Sequence, residues 1–194
     1  MELTKQLNEE LQQNRAGVFA PYYYRCLGYQ KQLSATAPVL RSNGVYALFS
    51  EPDPVILKNE WFAGNLKSLY VIESEPVLAD AKKTVDSFGK RSFRTNSDHY
   101  APDYDRILAS GIPGLIQQIE DSCATHGADA HRVATLQGMR VALQGFRKMI
   151  EKYIAAAKAC KGNAAYDPEK LGFIIRNCTQ LTMGKPRSFP ASTR

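Results

Sequence analysis

The 194-residue sequence lacks the marks of several large protein classes. No stretch approaches the ~18–20 consecutive apolar residues that a membrane-spanning helix needs. From Met1 to Arg15 the chain is polar and mixed in charge, with no basic stretch leading into an apolar run. No secretory leader is therefore expected, and the cytoplasm is the expected location. Cysteine is sparse: Cys26, Cys123, Cys160 and Cys178 are far apart, none forms a Cys-x-x-Cys pair, and none has a histidine at ligand spacing. That excludes a zinc ribbon or a disulfide framework and leaves reduced thiols. Gly-x-Ser-x-Gly, Gly-x-Gly-x-x-Gly and a P-loop Gly-Lys-Ser/Thr are all missing, so the sequence carries no self-contained hydrolase, dinucleotide or nucleotide site. There is no internal repeat and no low-complexity tract.

What is present describes a globular chain. Hydrophobic residues make up 44% and charged residues 23%, and the length fits one domain, since domains cluster at roughly 100–200 residues. The formal net charge of +6 is uneven. Residues 141–194 hold 10 Lys+Arg against 3 Asp+Glu, while residues 1–140 hold 15 against 16. Such a basic last quarter could meet phosphate, a membrane surface or an acidic partner, or face further protein or water.

Helix signals dominate. Leu3, Leu7 and Leu11 predict an amphipathic helix over about 2–15. Pro21 opens a second over about 21–35, with Tyr22, Tyr23, Tyr24 and Leu27 on a packed face. Pro38 opens a shorter one over 39–49, interrupted by Asn43-Gly44. Glu51-Pro52-Asp53-Pro54 is a break, because proline restricts itself and the residue before it. Residues 55–72 contain two β-capable runs around Gly64-Asn65 and predict extended chain or a loose hairpin. Ser74-Glu75-Pro76 starts a helix that reaches about Phe88. A polar loop over 89–101 follows. A helix over 102–110 is ended by Gly111, and one opened by Pro113 runs to about His126. The strongest pattern lies at 129–161, where Leu136, Met139, Leu143, Phe146, Ile150, Tyr153, Ala157 and Cys160 alternate spacings of three and four. Asp167-Pro168-Glu169 starts a last helix with Leu171, Ile174, Cys178 and Leu181 on one stripe.

Candidate chemistry is thin. His99, in the polar loop between Asp98 and Tyr100, is the one group placed to bind a substrate hydroxyl or move a proton. His126 and His131 flank a connector and are expected in solvent. Glu120 with Asp121, and Asp103 with Asp105, are acid pairs on predicted helix surfaces. Cys160 and Cys178 lie on apolar stripes and are expected to be inert thiols. Tyr22, Tyr23, Tyr24 and Tyr29 alternate with Arg25 and Lys31, which could stack bases; a packed helix face is the preferred reading.

Several segments in order resemble the N-terminal part of the glycyl-radical enzymes, the pyruvate formate-lyase-like family. They are Leu57-Lys58-Asn59-Glu60-Trp61-Phe62-Ala63-Gly64-Asn65, then the run from Ser97-Asp98-His99-Tyr100-Ala101-Pro102-Asp103-Tyr104 through Gly111 and Gly114 to Ile116. The long helix with Leu136, Met139 and Tyr153-Ile154-Ala155-Ala156-Ala157 follows. Last come Leu171 to Cys178 and the turn Pro186-Arg187-Ser188-Phe189. The similarity spans about 40–190.

The resemblance implies a ten-stranded α/β barrel wrapped in helices, of which this chain, a single partial domain over 1–194, supplies the helical N-terminal layer. A mainly α chain with one extended or hairpin element near 55–72 is expected. Family members are several times longer. They use a barrel cysteine, usually followed closely by glutamate, and a glycyl radical installed by an activating enzyme that carries an iron–sulfur cluster and uses S-adenosylmethionine. No cysteine here has that context: Cys26 precedes Leu27-Gly28, Cys123 Ala124-Thr125, Cys160 Lys161-Gly162 and Cys178 Thr179-Gln180. Arg25-Cys26-Leu27-Gly28-Tyr29 mimics the radical motif, but at the wrong end of the chain and in a predicted helix. After Phe189 the family continues into a helix that enters the barrel, whereas here Pro190-Ala191-Ser192-Thr193-Arg194 stands, so a shortened chain is expected. By resemblance His99 lines the substrate pocket. The expected partners are the remainder of the parent enzyme, with self-association through uncovered apolar surface, and the activating enzyme for the parent alone. No cofactor or metal is expected in this chain, and neither a membrane nor nucleic acid is the expected partner. The alternative is a stand-alone helical interaction module whose basic last quarter binds nucleic acid or an acidic partner.

Overall fold

A computed structural model describes residues 21–64 apart from 33 and 62, residues 103–184, and the isolated positions 4–6, 9, 18, 19, 70, 71, 83 and 87. The described chain is mainly helical. In order it comprises β1 (Val18–Phe19), α1 (Pro21–Gln30), α2 (Ala37–Ser50), β2 (Tyr70–Val71), α3 (Tyr104–Thr125), α4 (Ala130–Ala159) and α5 (Pro168–Met183). Of the helices predicted over 2–15 and 74–88, only Thr4, Lys5, Gln6, Glu9, Lys83 and Ser87 are described, all helical. The rest of both segments lies outside the described residues, as does the polar loop with His99.

Sequence chemistry explains the starts of α3, α4 and α5. Asp129 caps α4 by accepting from the Arg132 amide at 3.0 Å, and Asp167 caps α5 by accepting from the Glu169 amide at 2.8 Å, with Pro168 in the first turn. Each side chain satisfies an amide that the helix leaves without a partner. Asp103 does the same for α3 through the Arg106 amide at 3.0 Å. The break predicted at Gly111 lies inside α3: φ 63° and ψ 177° there divide it into two helical arms. That conformation is open almost exclusively to glycine.

Two expectations need correction. Over 55–72, predicted as extended chain or a loose hairpin, an extended element stands at Tyr70–Val71, but residues 55–57 are not its hairpin partner. Tyr70 and Val71 pair antiparallel with Phe19 and Val18 instead, and residues 55–57 form no strand; Ile56 and Leu57 are buried as irregular chain. Their apolar run serves the helical core directly rather than through a sheet. Asn43-Gly44 also does not interrupt α2, which runs unbroken from Ala37 to Ser50. Gly44 is there because Tyr29 is: a Cβ at Gly44 would collide with the Tyr29 ring.

The core lies where α5 folds back along the second half of α4. Ile150, Tyr153 and Ala157 of α4 pack with Leu171, Ile174 and Cys178 of α5, joined by Ile112 of α3 and by Ile56. The α4 stripe therefore works as predicted over its second half. Its first half fares differently: Leu136 and Leu143 are half-buried and Met139 is 53% exposed.

On its other side α4 holds α2. A Cβ on Gly138 would lie 3.2 Å from the Pro38 carbonyl and the Ser42 hydroxyl, and one on Gly145 2.7 Å from the Tyr46 Cα. Further along, Phe146 meets Phe49 edge-on at 5.5 Å, and Lys152 reaches the end of α2. Residue numbers rise together along both helices, so α2 and α4 run parallel with their backbones close.

Candidate functional site

Lys152 shows how the two parallel helices are tied. Its ammonium donates to the Ser50 and Glu51 carbonyls, both at 3.0 Å, and pairs with the Asp53 carboxylate at 2.8 Å. These carbonyls end α2, where the helix dipole is negative and the C=O groups lack helical partners. Other basic residues of the last quarter also have local roles. Arg147 pairs with Glu151 at 3.1 Å, and the Lys170 ammonium lies 5.4 Å from the centre of the Trp61 ring. Lys148, Lys158, Lys161 and Arg176 are exposed.

The irregular segment 51–61 docks on α5. Glu60 is buried and its carboxylate accepts from the Leu57 amide at 3.0 Å, so the acid closes its own turn. Trp61 meets Phe173 edge-on at 6.0 Å. The Tyr166 hydroxyl donates to the Ile56 carbonyl at 3.3 Å. Beside this anchor, Tyr166, Pro168, Leu171 and Gly172 line an open cleft of about 520 Å³ at the turn between α4 and α5.

Gly28 decides how the radical-like motif is read. It lies in the last turn of α1, and a Cβ there would enter the Asn43 carbonyl and come within 2.7 Å of the Gly44 Cα. It is a packing glycine at a helix crossing. Cys26 beside it is fully buried, and burial pushes its thiol up to about 11. Burial also raises the thiol of Cys178. A nucleophilic or radical-relay thiol needs access, which these two lack. Tyr24 and Tyr29 are buried too, so the tyrosine cluster faces protein here; the Tyr22 side chain lies outside the described residues.

All four cysteines are free. At pH 8 a thiol reagent should modify half-buried Cys123 and Cys160 first, and Cys26 and Cys178 only after unfolding. Mass spectrometry of partly labelled protein checks this; equal labelling of Cys26 in the native state would contradict it. The linked effect on stability has a definite sign. The Cys26 thiol ionises near 8.5 when unfolded and near 11 when folded. Its contribution is therefore whole below about pH 8.5 and is lost as the pH rises toward 11.

Of the remaining sequence candidates, His126 and His131 line one open cleft of about 280 Å³, and the acids are engaged separately. His126 is half-buried and His131 exposed, at either end of the connector between α3 and α4. Glu120 pairs with Arg140 at 3.8 Å, Asp121 accepts from the Gln117 side chain at 3.0 Å, and Asp103 is occupied as a cap. Among the described residues, no group of three or more His, Cys, Asp or Glu side chains could hold a metal ion. No described helix is long and apolar enough to cross a membrane.

The ordered helices from α3 to α5 fall within a known pattern: residues 78–190 match the pyruvate formate lyase-like family. The chain belongs to that family. The match covers the pyruvate formate lyase-like helices α3, α4 and α5 completely and starts after α1, α2 and the 57–65 segment. No curated protein matches the chain. Sequence reasoning missed Gly138, Gly145 and Lys152. A glycine in mid-helix is a usable signal of close backbone approach, and Gly138 and Gly145 lie one heptad apart. Nothing in the sequence marks Lys152.

Proposed function

We propose that this chain forms the leading helical layer of a pyruvate formate-lyase-like barrel and performs no catalysis itself. The parent class carries out anaerobic radical chemistry on a small oxygenated substrate: carbon–carbon cleavage, dehydration or decarboxylation. The observation that carries this reading is the uncovered end of the α4 stripe. Met139 sits in register with Ile150, Tyr153 and Ala157 and yet is 53% exposed. On α5, Leu181 and the 78% exposed Met183 are uncovered as well. Large apolar side chains on family-matched helices, left in water at the end of a core stripe, suit a layer that meets more protein of the same fold.

In the parent, an activating enzyme with an iron–sulfur cluster and S-adenosylmethionine would install the glycyl radical. Gly28 does not fit that role, because one face of its Cα is filled by Asn43 and Gly44. This chain's own contribution is to bind the barrel's outer surface and, through His99, to contact substrate once the barrel is complete. The test is to incubate the chain with activating enzyme, reductant and S-adenosylmethionine and record electron paramagnetic resonance spectra. No protein radical is expected; a glycyl doublet would sink the proposal.

A further inference from the structure

Burial changes abruptly at Gly111. On its C-terminal side, Ile112 is buried and Ile116 packs against the core shared by α4 and α5. On its N-terminal side, Asp105, Arg106, Ile107, Leu108 and Ala109 are all exposed, Leu108 by 54%. The first arm of α3, residues 104–110, is thus about two helical turns, with residues 105–109 exposed.

Among the described residues, one side chain ties this arm down by hydrogen bonds. The Gln118 Oε1 accepts from Arg106 twice, from Nε at 3.0 Å and Nη2 at 2.7 Å. The Gln118 Nε2 donates to the Ser110 hydroxyl at 2.9 Å. Both ends of one amide are spent on the arm, from a residue seated on the packed second arm. The bonds to Arg106 are charge-assisted, so they are strong for their number. The joint between the arms is equally specific. Gly111 has the backbone freedom that other residues lack. Pro113 follows two residues later and cannot donate an amide to the Ala109 carbonyl, so the two arms cannot fuse into one straight helix.

We propose that residues 104–110 form a hinged arm that swings about Gly111, with Gln118 as the latch that holds it closed. A swivel residue, an imposed break and a single polar clasp on a weakly buried helix are what such a device requires. The inference rests on these described contacts alone and not on the proposed function.

Amide hydrogen exchange on the full chain tests it. In Gln118→Ala, exchange over 104–110 should rise at least tenfold, with protection across α4 and α5 unchanged. Arg106→Ala removes two of the three bonds from an exposed position and should give a smaller rise in the same segment. Unchanged exchange over 104–110 in both variants would overturn the latch. A rise spread equally over α4 and α5 would overturn the hinge, because the arm would then be part of the common core.

Discussion

Replacing Gly28 by alanine should lower the thermal midpoint by about 4–8 °C. The new methyl group has nowhere to go: its site is occupied by the Asn43 carbonyl and lies against the Gly44 Cα. Those atoms are backbone of α2 and cannot rotate away as a side chain would. Overpacking usually costs about 1–3 kcal/mol and more where backbone must shift, offset by the roughly 1 kcal/mol that alanine gains over glycine in a helix. At the upper end of that range, because backbone must shift, we expect a net loss of about 2 kcal/mol, at roughly 2–4 °C per kcal/mol for a chain of this size. Gly172→Ala is the matched control. Its new methyl group would meet only the flexible end of Arg176, at 3.3 Å, so stability should hold or rise slightly. Thermal unfolding followed by circular dichroism separates the two outcomes. Equal behaviour of the two variants would show that α1 and α2 do not cross with their backbones in contact.

Lys152→Ala should cost about 2–3 kcal/mol, given roughly 1.5–3 kcal/mol for hydrogen bonds to a charged group and a further share from charge at a helix end. The ammonium bonds two carbonyls at the end of α2 and the Asp53 carboxylate, and its side chain is only 22% exposed. Lys152→Met retains the aliphatic stem and should recover only the packing part of the loss. Lys148→Ala, on an exposed position of the same helix, should stay within about 0.5 kcal/mol of the parent. Urea unfolding of the three variants measures the differences. If Lys152→Ala behaved like Lys148→Ala, the tie between α2 and α4 would be apolar only.

The parts legible in the sequence were those written locally. Asp129 and Asp167 announce helix starts because a capping side chain acts within three residues. Gly111 announces a break because its backbone preference is its own. The second half of the α4 stripe was readable as a 3.6-residue period. What escaped were effects whose other half lies far along the chain. Val55, Ile56 and Leu57 have strand-like composition, yet the helical core takes up Ile56 and Leu57 without a sheet. Asn43-Gly44 reads as a breaker until Tyr29 and the glycine crossing are seen. Met139 obeys the stripe and is exposed all the same, because a period says which residues share a face and not how far the neighbouring helix extends. The family was legible because it depends on ordered motifs, several of which lie within the matched residues. His99, the one candidate site residue, lies outside the described residues.

The parallel pairing of α2 with α4 also bears on how the chain is made. Ser50 and Lys152 are 102 residues apart. At a ribosomal pace of about 5–20 residues per second, roughly 5–20 seconds separate them. Throughout that interval the nascent α1 and α2 have each other but not the glycine-faced groove of α4. The surface of Ser42 and Tyr46 that will meet Gly138 and Gly145 must stay unclaimed until α4 emerges. The glycines suit that delay, since a groove with no side chains to rearrange can accept a helix that is already formed.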